Sequence, residues 1–196
     1  LREGVELGFR CSVSSIRIPA VTEGVLAALH ASGDRSITLA PETGTDELRW
    51  KMGKHVPNAL LLEKVRMIVR SGFTQLKLYF IVGLPGETIA DVQGILDLAA
   101  RARAVMLEEA AKTGVIGHIH LGVNVLVPKP YTPWQRFPMD DERSLKEKVK
   151  LSEDLPGLTR RRLTERFVSA LQMARKSGQL VTGAQPRNFE PGSASA

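Results

Sequence analysis

The chain repeats one pattern: an apolar run rich in β-branched residues ends in a small polar cluster, and a helical segment follows. The clearest examples are residues 36–44 (SITLAPETG) and 75–88 (QLKLYFIVGLPGET). Buried parallel strands have this composition, because helices cover both faces of such a sheet. Ligands bind at the C-terminal ends of strands in barrels and open α/β sheets. Glu42 and the turn from Gly83 to Glu87 are therefore the first candidate functional positions.

Successive units of this kind predict an α/β fold. The predicted strands cover residues 8–18, 36–40, 76–82 and 119–127. Helices are predicted between residues 22 and 33, 45 and 52, 58 and 71, 88 and 112, 140 and 153, and 158 and 176. Four strands connected in one direction are too few to close a barrel. We therefore expect an incomplete TIM-type barrel of about four parallel strands with flanking helices.

Length and composition favour one domain with a substantial core, since 196 residues are 43% hydrophobic. We expect residues 1–139 to form the partial barrel, residues 140–182 a basic helical extension, and residues 183–196 a disordered tail. The chain begins with Leu1 and leads directly into a predicted strand. We therefore expect it to be a piece of a longer protein.

The formal charge of +6 arises between residues 143 and 176, which hold ten basic and four acidic residues. A solvated helix face explains this excess, and a surface for RNA or an acidic protein is the alternative. One cysteine, Cys11, excludes an internal disulfide and fits a reducing compartment. The sequence shows neither a secretory signal nor a membrane-spanning run, so a cytoplasmic location without membrane contact is predicted.

A parallel sheet would bring residues that are distant in the sequence to one edge. The residues predicted there are Ser14, Ser15, Arg17, Glu42, Thr43, the turn 83–87, Lys129 and Tyr131. Arg17 could pair with a carboxylate, Glu42 could accept two hydrogen bonds from a diol, and the glycines would let the backbone approach a flat ring. Together they suit a ligand that carries a carboxylate, a ribose-like diol and a ring.

Each of these residues also has a simpler explanation. Arg17 could be a surface arginine near a proline, and Glu42 could stabilise the N-terminus of the following helix. Gly83 and Gly86 could mark only a tight turn, and the proline-interrupted loop at 129–135 could be a stiff connector.

Two other groups carry no predicted chemistry. His118 and His120 alternate along a strand, but neither cysteine nor carboxylate at ligand spacing accompanies them, so no metal site is predicted. Ser14 and Ser15 lack a local base, which argues against nucleophilic catalysis. No catalytic residue is therefore assigned.

Four segments resemble successive strand-end motifs of the radical S-adenosylmethionine (radical SAM) superfamily. They are residues 14–17 (SSIR), 38–44 (TLAPETG), 77–88 (KLYFIVGLPGET) and 127–135 (VPKPYTPWQ). The resemblance covers about residues 8–140 and depends on the order and spacing of the motifs. Within the superfamily, the chain most resembles uncharacterised iron–sulfur oxidoreductases that often carry a cobalamin-binding domain.

The resemblance implies a six-stranded partial barrel that uses S-adenosylmethionine (SAM) and a 4Fe–4S cluster. In the family, C-x3-C-x2-C after the first strand binds the cluster, and a Gly-Gly-Glu segment after the second holds the methionine amine; this chain contains neither motif. It would then supply the third to sixth strands, with the missing N-terminal half of the core as its partner. A cluster needs several thiolates, so we expect the chain alone to be inactive. Cobalamin is a further cofactor that the resemblance allows in the parent protein.

The matching motif positions imply roles for individual residues. Arg17 corresponds to a contact with the methionine carboxylate, and Glu42, with Thr43 beside it, to a ribose contact. The remaining positions are Gly83, Leu84 and Pro85 at the adenine pocket, and Lys129 and Tyr131 towards the substrate.

The leading hypothesis is therefore part of a radical SAM iron–sulfur oxidoreductase. In the intact enzyme, the resemblance implies that a 5′-deoxyadenosyl radical abstracts hydrogen from an unknown substrate. The rival hypothesis is a non-catalytic α/β module that binds RNA or an acidic partner through its basic C-terminal helices.

Overall fold

Three parallel strands form the only sheet among the residues that the computed structural model describes, which are 3–4, 7–9, 12–132 and 134–152. The strands are β1 (Ser36–Glu42), β2 (Gln75–Val82) and β3 (His118–Val125), in the order β1–β2–β3. The helices are α1 (Glu23–Ala31), α2 (Asp46–Lys51), α3 (Asn58–Arg70), α4 (Ile89–Thr113) and α5 (Glu142–Ser152). The predicted α/β fold class with a parallel, open sheet is confirmed.

The first predicted strand, residues 8–18, is wrong as a strand. In the described part of this segment only Ile16 pairs with the sheet, through a single parallel bridge to Leu39, and Ile18–Ala20 form a short 3-10 helix. Pro19 lies in that turn, where it fixes φ and removes a backbone donor that a longer ladder would need. The described residues therefore contain three strands and not four.

Among the described residues, helices cover only one face of this sheet, whereas the sequence led us to expect helices on both faces. Side chains on β1 and β2 alternate between buried and partly buried positions. The fully buried set packs against α1, α3 and α4, and comprises Ile37, Leu39, Leu76, Leu78, Phe80 and Val82. The opposite face retains solvent access, so polar side chains can occupy alternate positions along the strands.

Local sequence signals fix the ends of the major helices. The Thr22 hydroxyl accepts the amide hydrogen of Val25 at the start of α1. Thr88 and Asp91 form a reciprocal capping box at the start of α4, an arrangement that satisfies free amide groups of the first turn. These contacts confirm the predicted starts of both helices and place the N-terminus of α4 directly after the turn that ends β2.

An ion-pair cluster joins the outer surfaces of α3 and α4. The Glu109 carboxylate is 3% exposed and accepts hydrogen bonds from Arg66, Arg70 and Lys112 at 2.6–3.1 Å. Hydrogen bonds from Arg70, then Arg66 and Lys112, lower the pKa of Glu109 to about 2. This cluster joins α3 to the C-terminal part of α4, at the opposite end of that helix from the turn that follows β2.

Three expectations fall on residues outside the described set: the helix at 158–176, the tail at 183–196 and the environment of Cys11. Within the described residues, none of the helices combines the length and the apolar character that a bilayer crossing requires.

Candidate functional site

Glu42 lies at a bulge at the C-terminal end of β1. Leu39 pairs with Leu78, whereas Glu42 pairs with Phe80, so β1 contains one residue more than β2 over this stretch. Glu42 has φ of 69°, a left-handed conformation that is uncommon for residues other than glycine. Its carboxylate is 18% exposed and forms an ion pair with Lys54. The chain therefore presents an accessible carboxylate where β1 leaves the sheet.

A buried arginine, Arg49 on α2, holds the loop that follows Glu42. Its guanidinium is 1% exposed and donates five hydrogen bonds of 2.5–2.9 Å. The acceptors are the carbonyl oxygens of Pro41, Thr43 and Val56, the Asp46 carboxylate and the Asn58 amide oxygen. Burial lowers the pKa of Arg49, and Asp46 partly opposes that shift. Two of these carbonyls flank Glu42, so Arg49 constrains the backbone that carries the candidate carboxylate.

Thr43 is also buried, and its contacts are local. The Thr43 hydroxyl accepts the amide hydrogen of Thr45 at 3.2 Å and lies 3.4 Å from the Thr45 carbonyl oxygen. Such a contact stabilises a turn. The described interactions of Thr43 therefore shape the loop.

The second strand-end loop is the turn from Gly83 to Glu87 after β2. Gly83 and Gly86 have φ of 81° and 76°, conformations that glycine adopts without strain. The Gly83 amide donates to the Glu87 carboxylate at 2.7 Å. Leu84 is buried, and Pro85 is partly exposed. The turn is thus closed by its own glutamate, whose side chain is 1% exposed.

Helix α5 packs onto this turn through a buried lysine. Lys148 Nζ lies 3.1 Å from the Glu87 carboxylate and 2.8 Å from that of Asp140. Burial lowers the pKa of Lys148, but the two carboxylates outweigh that effect and the pKa is raised. A Cβ added to Gly83 would lie 2.7 Å from Leu145 Cδ2, whereas one added to Gly86 would meet nothing within 4 Å. A ligand at this turn would therefore approach from the Gly86 side.

The loop after β1 contacts helix α4, which begins directly after the turn that follows β2. The Thr45 hydroxyl donates to the Asp91 carboxylate of α4 at 2.5 Å. Burial alone would raise the pKa of Asp91, but hydrogen bonds from Thr45 and Thr88 outweigh it and lower the pKa. A Cβ on Gly44 would overlap the backbone of α4 at Gly94. This contact leaves no space between the loop after β1 and α4. Because α4 follows the Gly83–Glu87 turn directly, Glu42 and that turn lie at one edge of the sheet.

The other predicted residues of this edge are more exposed. Arg17 follows Ile16, whose amide donates to the Thr38 carbonyl at 2.9 Å, so it lies beside β1. Its guanidinium is exposed and makes no ion pair with a described residue; Ser14 and Ser15 are exposed as well. The order of these segments agrees with the predicted neighbourhood of Arg17 and Glu42.

The loop after β3 extends from the same edge. The Leu126 amide donates to the Val82 carbonyl at 2.8 Å, which keeps the start of the loop next to the end of β2. Lys129 and Tyr131 are exposed, Tyr131 to 98%, and Tyr131 has φ of 62°. The Gln135 side chain accepts the Tyr131 amide hydrogen at 3.0 Å. The side chains of Lys129 and Tyr131, which were predicted to face the substrate, are therefore accessible from solvent.

Sequence reasoning missed the two buried cations, Arg49 and Lys148. Lys148 was counted in the basic stretch, but it is 4% exposed, and its neighbour Lys146 pairs with Glu142 on the same helix. The only local signal for Arg49 is an aspartate three residues earlier, which is equally common on solvated helices. Lys146 and Lys148 are therefore paired, whereas Arg143 and Lys150 on α5 are exposed, so the basic surface stays a prediction.

The residues of this chain do not fit an iron–sulfur cluster. The chain has one cysteine, and no group of three or more metal-ligating side chains occurs in the described ranges. Cluster ligation requires several thiolates.

Comparisons with known proteins identify the family of this chain. The chain is 27% identical over 148 residues to the uncharacterised protein MJ0966 of Methanocaldococcus jannaschii, a match that covers 76% of this chain and 30% of that protein. A structural match to coproporphyrinogen III oxidase (HemN) from Escherichia coli, described as a radical SAM enzyme, has a TM-score of 0.45 and 14% identity, and covers 84% of this chain and 32% of that one. The chain thus spans about a third of each protein. The sequence profile of the radical SAM superfamily matches residues 1–99. This chain therefore belongs to the radical SAM superfamily.

Proposed function

We propose that this chain is the C-terminal part of a radical SAM core and lines one side of the SAM pocket. The contact between the loop after β1 and helix α4 carries the proposal. It holds an accessible carboxylate, Glu42, at the same sheet edge as the glycine turn that follows β2. Ligands bind at this edge of parallel sheets.

The cluster ligands would lie in a part of the longer protein that precedes this chain in the core. That N-terminal half is the proposed partner, and the chain by itself is inactive because it cannot ligate a 4Fe–4S cluster. In this superfamily the cofactors supply hydrogen abstraction from the substrate. The residues of this chain would orient SAM and exclude water from the site. Cobalamin in the parent protein and a cytoplasmic location remain predictions.

Glu42 is the proposed ribose contact. An ionised carboxylate can accept two hydrogen bonds from vicinal hydroxyls. Lys54 now occupies part of that carboxylate, so the diol would share the acceptor with Lys54 or displace it. The bulge and the constraint from Arg49 fix the carboxylate before the ligand arrives, which reduces the ordering cost of binding.

The other proposed contacts are less constrained. Arg17 would pair with the methionine carboxylate, since its guanidinium has no described partner. The peptide groups of residues 83–86 would contact the adenine from the Gly86 side, because Leu145 fills the Gly83 side. The exposed loop with Lys129 and Tyr131 would face the substrate.

The test uses the longer protein that contains the upstream cysteines, reconstituted with iron and sulfide. Glu42→Gln should weaken SAM binding about tenfold or more, since a hydrogen bond to a charged group contributes about 1.5–3 kcal/mol. Glu47→Gln is the matched control, because that carboxylate is 80% exposed and pairs with Lys51 on the same short helix. Isothermal titration calorimetry measures the SAM affinity, and chromatography measures 5′-deoxyadenosine formation.

Equal SAM affinity in the two variants would remove Glu42 from the pocket. Formation of 5′-deoxyadenosine by the 196-residue chain alone, after treatment with iron and sulfide, would contradict the proposal that the cluster ligands lie elsewhere.

A further inference from the structure

The uncovered face of the sheet carries a row of polar side chains. The strand register aligns Thr38, Lys77 and His120 across β1, β2 and β3. Paired residues of a parallel sheet project to the same face, and neighbouring strands lie about 4.8 Å apart. The adjacent row, two residues earlier on each strand, consists of Ser36, Gln75 and His118. Two hydroxyls, an ammonium and two imidazoles therefore share one small area.

These residues lack partners within the described structure. Lys77 forms no ion pair with any described residue, although it is partly buried. The Ser36 hydroxyl oxygen is buried without a hydrogen-bond partner. Buried polar groups are normally paired, so such an exception calls for a bound molecule or water. The side chains of Thr38 and His120 form no hydrogen bond with the described part of the chain.

Charge on this face has one sign. Glu42 is the only acidic residue in the three strands, and it lies at the end of β1, four residues and about 13 Å beyond Thr38. An aromatic ring borders the row on its C-terminal side, because the Tyr79 ring lies over Gly122: a Cβ there would meet the ring at 2.5 Å. The row is therefore a cationic patch beside an aromatic ring, on the face that the helices leave open.

We propose that this patch, Thr38–Lys77–His120 with Ser36 beside it, binds the phosphate group of a small molecule. The donors are an ammonium, hydroxyls and imidazoles in neighbouring register positions of three strands, and they match the several oxygens of a tetrahedral oxyanion. Planar carboxylates are recognised best by the paired donors of arginine, and none of the three strands contains arginine. Lysine acts as a point charge that suits phosphate.

The site is distinct from the proposed SAM pocket. Lys77 precedes Gly83 by six residues, which corresponds to about 20 Å along β2. Phosphate binding does not depend on the proposed radical chemistry. A substrate that reached from this patch to the strand ends would be an elongated phosphorylated compound.

The experiment is a titration of the 196-residue chain with inorganic phosphate at constant ionic strength, followed by nuclear magnetic resonance. We expect saturable shifts confined to the residues of the patch. Lys77→Met should weaken the phosphate affinity about tenfold, equivalent to about 1.4 kcal/mol. Lys64→Met is the matched control, because Lys64 lies on α3 beside Glu63 and should leave the affinity unchanged. Thr38→Val is a second variant that tests the hydroxyl while it preserves the volume of the side chain.

Three results would overturn the proposal: shifts that do not saturate or that spread over all lysines; equal phosphate affinity in Lys77→Met and Lys64→Met; or succinate binding as tightly as phosphate. Circular dichroism of each variant shows that it is folded. The same phosphate titration is repeated with the longer protein. If phosphate no longer binds there, another segment of the protein covers this face, and the proposal is refuted. SAM affinity in Lys77→Met should stay unchanged, so failure of either proposal can be recognised separately.

Discussion

Replacement of Arg49 by methionine tests whether the buried guanidinium organises the loop around Glu42. The substitution keeps most of the apolar volume but removes all five hydrogen-bond donors that Arg49 uses. Three backbone carbonyls then lose a partner in a place that water reaches poorly. Asp46 is 41% exposed, so its carboxylate can be rehydrated and contributes less to the loss.

The expected cost follows from these contacts. Removing one partner of a buried ion pair lowers the free energy of unfolding by about 3–5 kcal/mol. Each buried carbonyl that is left without a hydrogen bond lowers it by about 1–3 kcal/mol. Partial rehydration of Asp46 and burial of the methionine side chain offset part of the sum. We therefore expect Arg49→Met to lower the free energy of unfolding by about 3–5 kcal/mol, a large share of the roughly 5–15 kcal/mol typical of a domain.

Urea denaturation followed by circular dichroism measures this difference. Lys51→Met is the control, since Lys51 lies two residues away and its ion pair with Glu47 is largely exposed; it should leave the stability nearly unchanged. Arg49→Lys should fall between the two, because an ammonium keeps the charge but cannot reach all five acceptors. Equal stability of Arg49→Met and Lys51→Met would refute the reasoning.

Two further predictions concern packing and pH. Gly44→Ala should destabilise the protein more than Gly24→Ala, because an added Cβ at Gly44 overlaps the α4 backbone whereas one at Gly24 meets nothing within 4 Å. Thermal unfolding of both variants measures the difference, and equal unfolding midpoints would contradict the prediction. The pKa of Glu109 is about 2 in the folded chain, below the usual value near 4.3, so its stabilisation is present above about pH 5 and is lost as the pH falls towards 2. The difference in melting temperature between the native chain and Glu109→Gln should therefore shrink from pH 7 to about pH 3. A Glu109→Gln difference that does not change with pH would contradict the assignment.

Local patterns predicted most of the described fold. Thr22 and Thr88 mark the starts of α1 and α4, and the apolar runs after Gln75 and His118 lie in strands. These features depend on side-chain periodicity and on capping groups within a few residues, which the sequence contains explicitly. The prediction of a strand before Pro19 was wrong, because a short alternation of apolar and polar residues does not show whether a neighbouring strand will pair with the segment.

The open face of the sheet could have been predicted. Thr38 and Lys77 alternate with buried apolar residues along β1 and β2, and such alternation is typical of a strand with one solvated face. A strand buried on both faces rarely contains a lysine. The bulge at Glu42 could not be predicted, because its left-handed backbone carries neither glycine nor asparagine as a signal.

The buried cations were beyond sequence reasoning for a different reason. Arg49 is stabilised by carbonyl oxygens at Pro41, Thr43 and Val56, and Lys148 by carboxylates 61 and 8 residues away. Every residue supplies a carbonyl, so the sequence holds no mark of which carbonyls will converge. Charged residues on short helices therefore look solvated until the loops around them are placed.

The motif residues at the strand ends divide into two groups by what they contact. Gly44 packs against α4, and Gly83 packs against Leu145. The Thr43 hydroxyl accepts a hydrogen bond from the Thr45 amide, and the Glu87 carboxylate forms an ion pair with Lys148. Their residue types are thus explained by packing and hydrogen bonding without a ligand. Glu42 differs, because its strained backbone and accessible carboxylate satisfy no structural need beyond the pair with Lys54. Backbone strain at an accessible position is expected where binding requires it. We therefore expect substitutions at Glu42 to change ligand affinity more than stability, and substitutions at Gly44 or Lys148 to do the reverse.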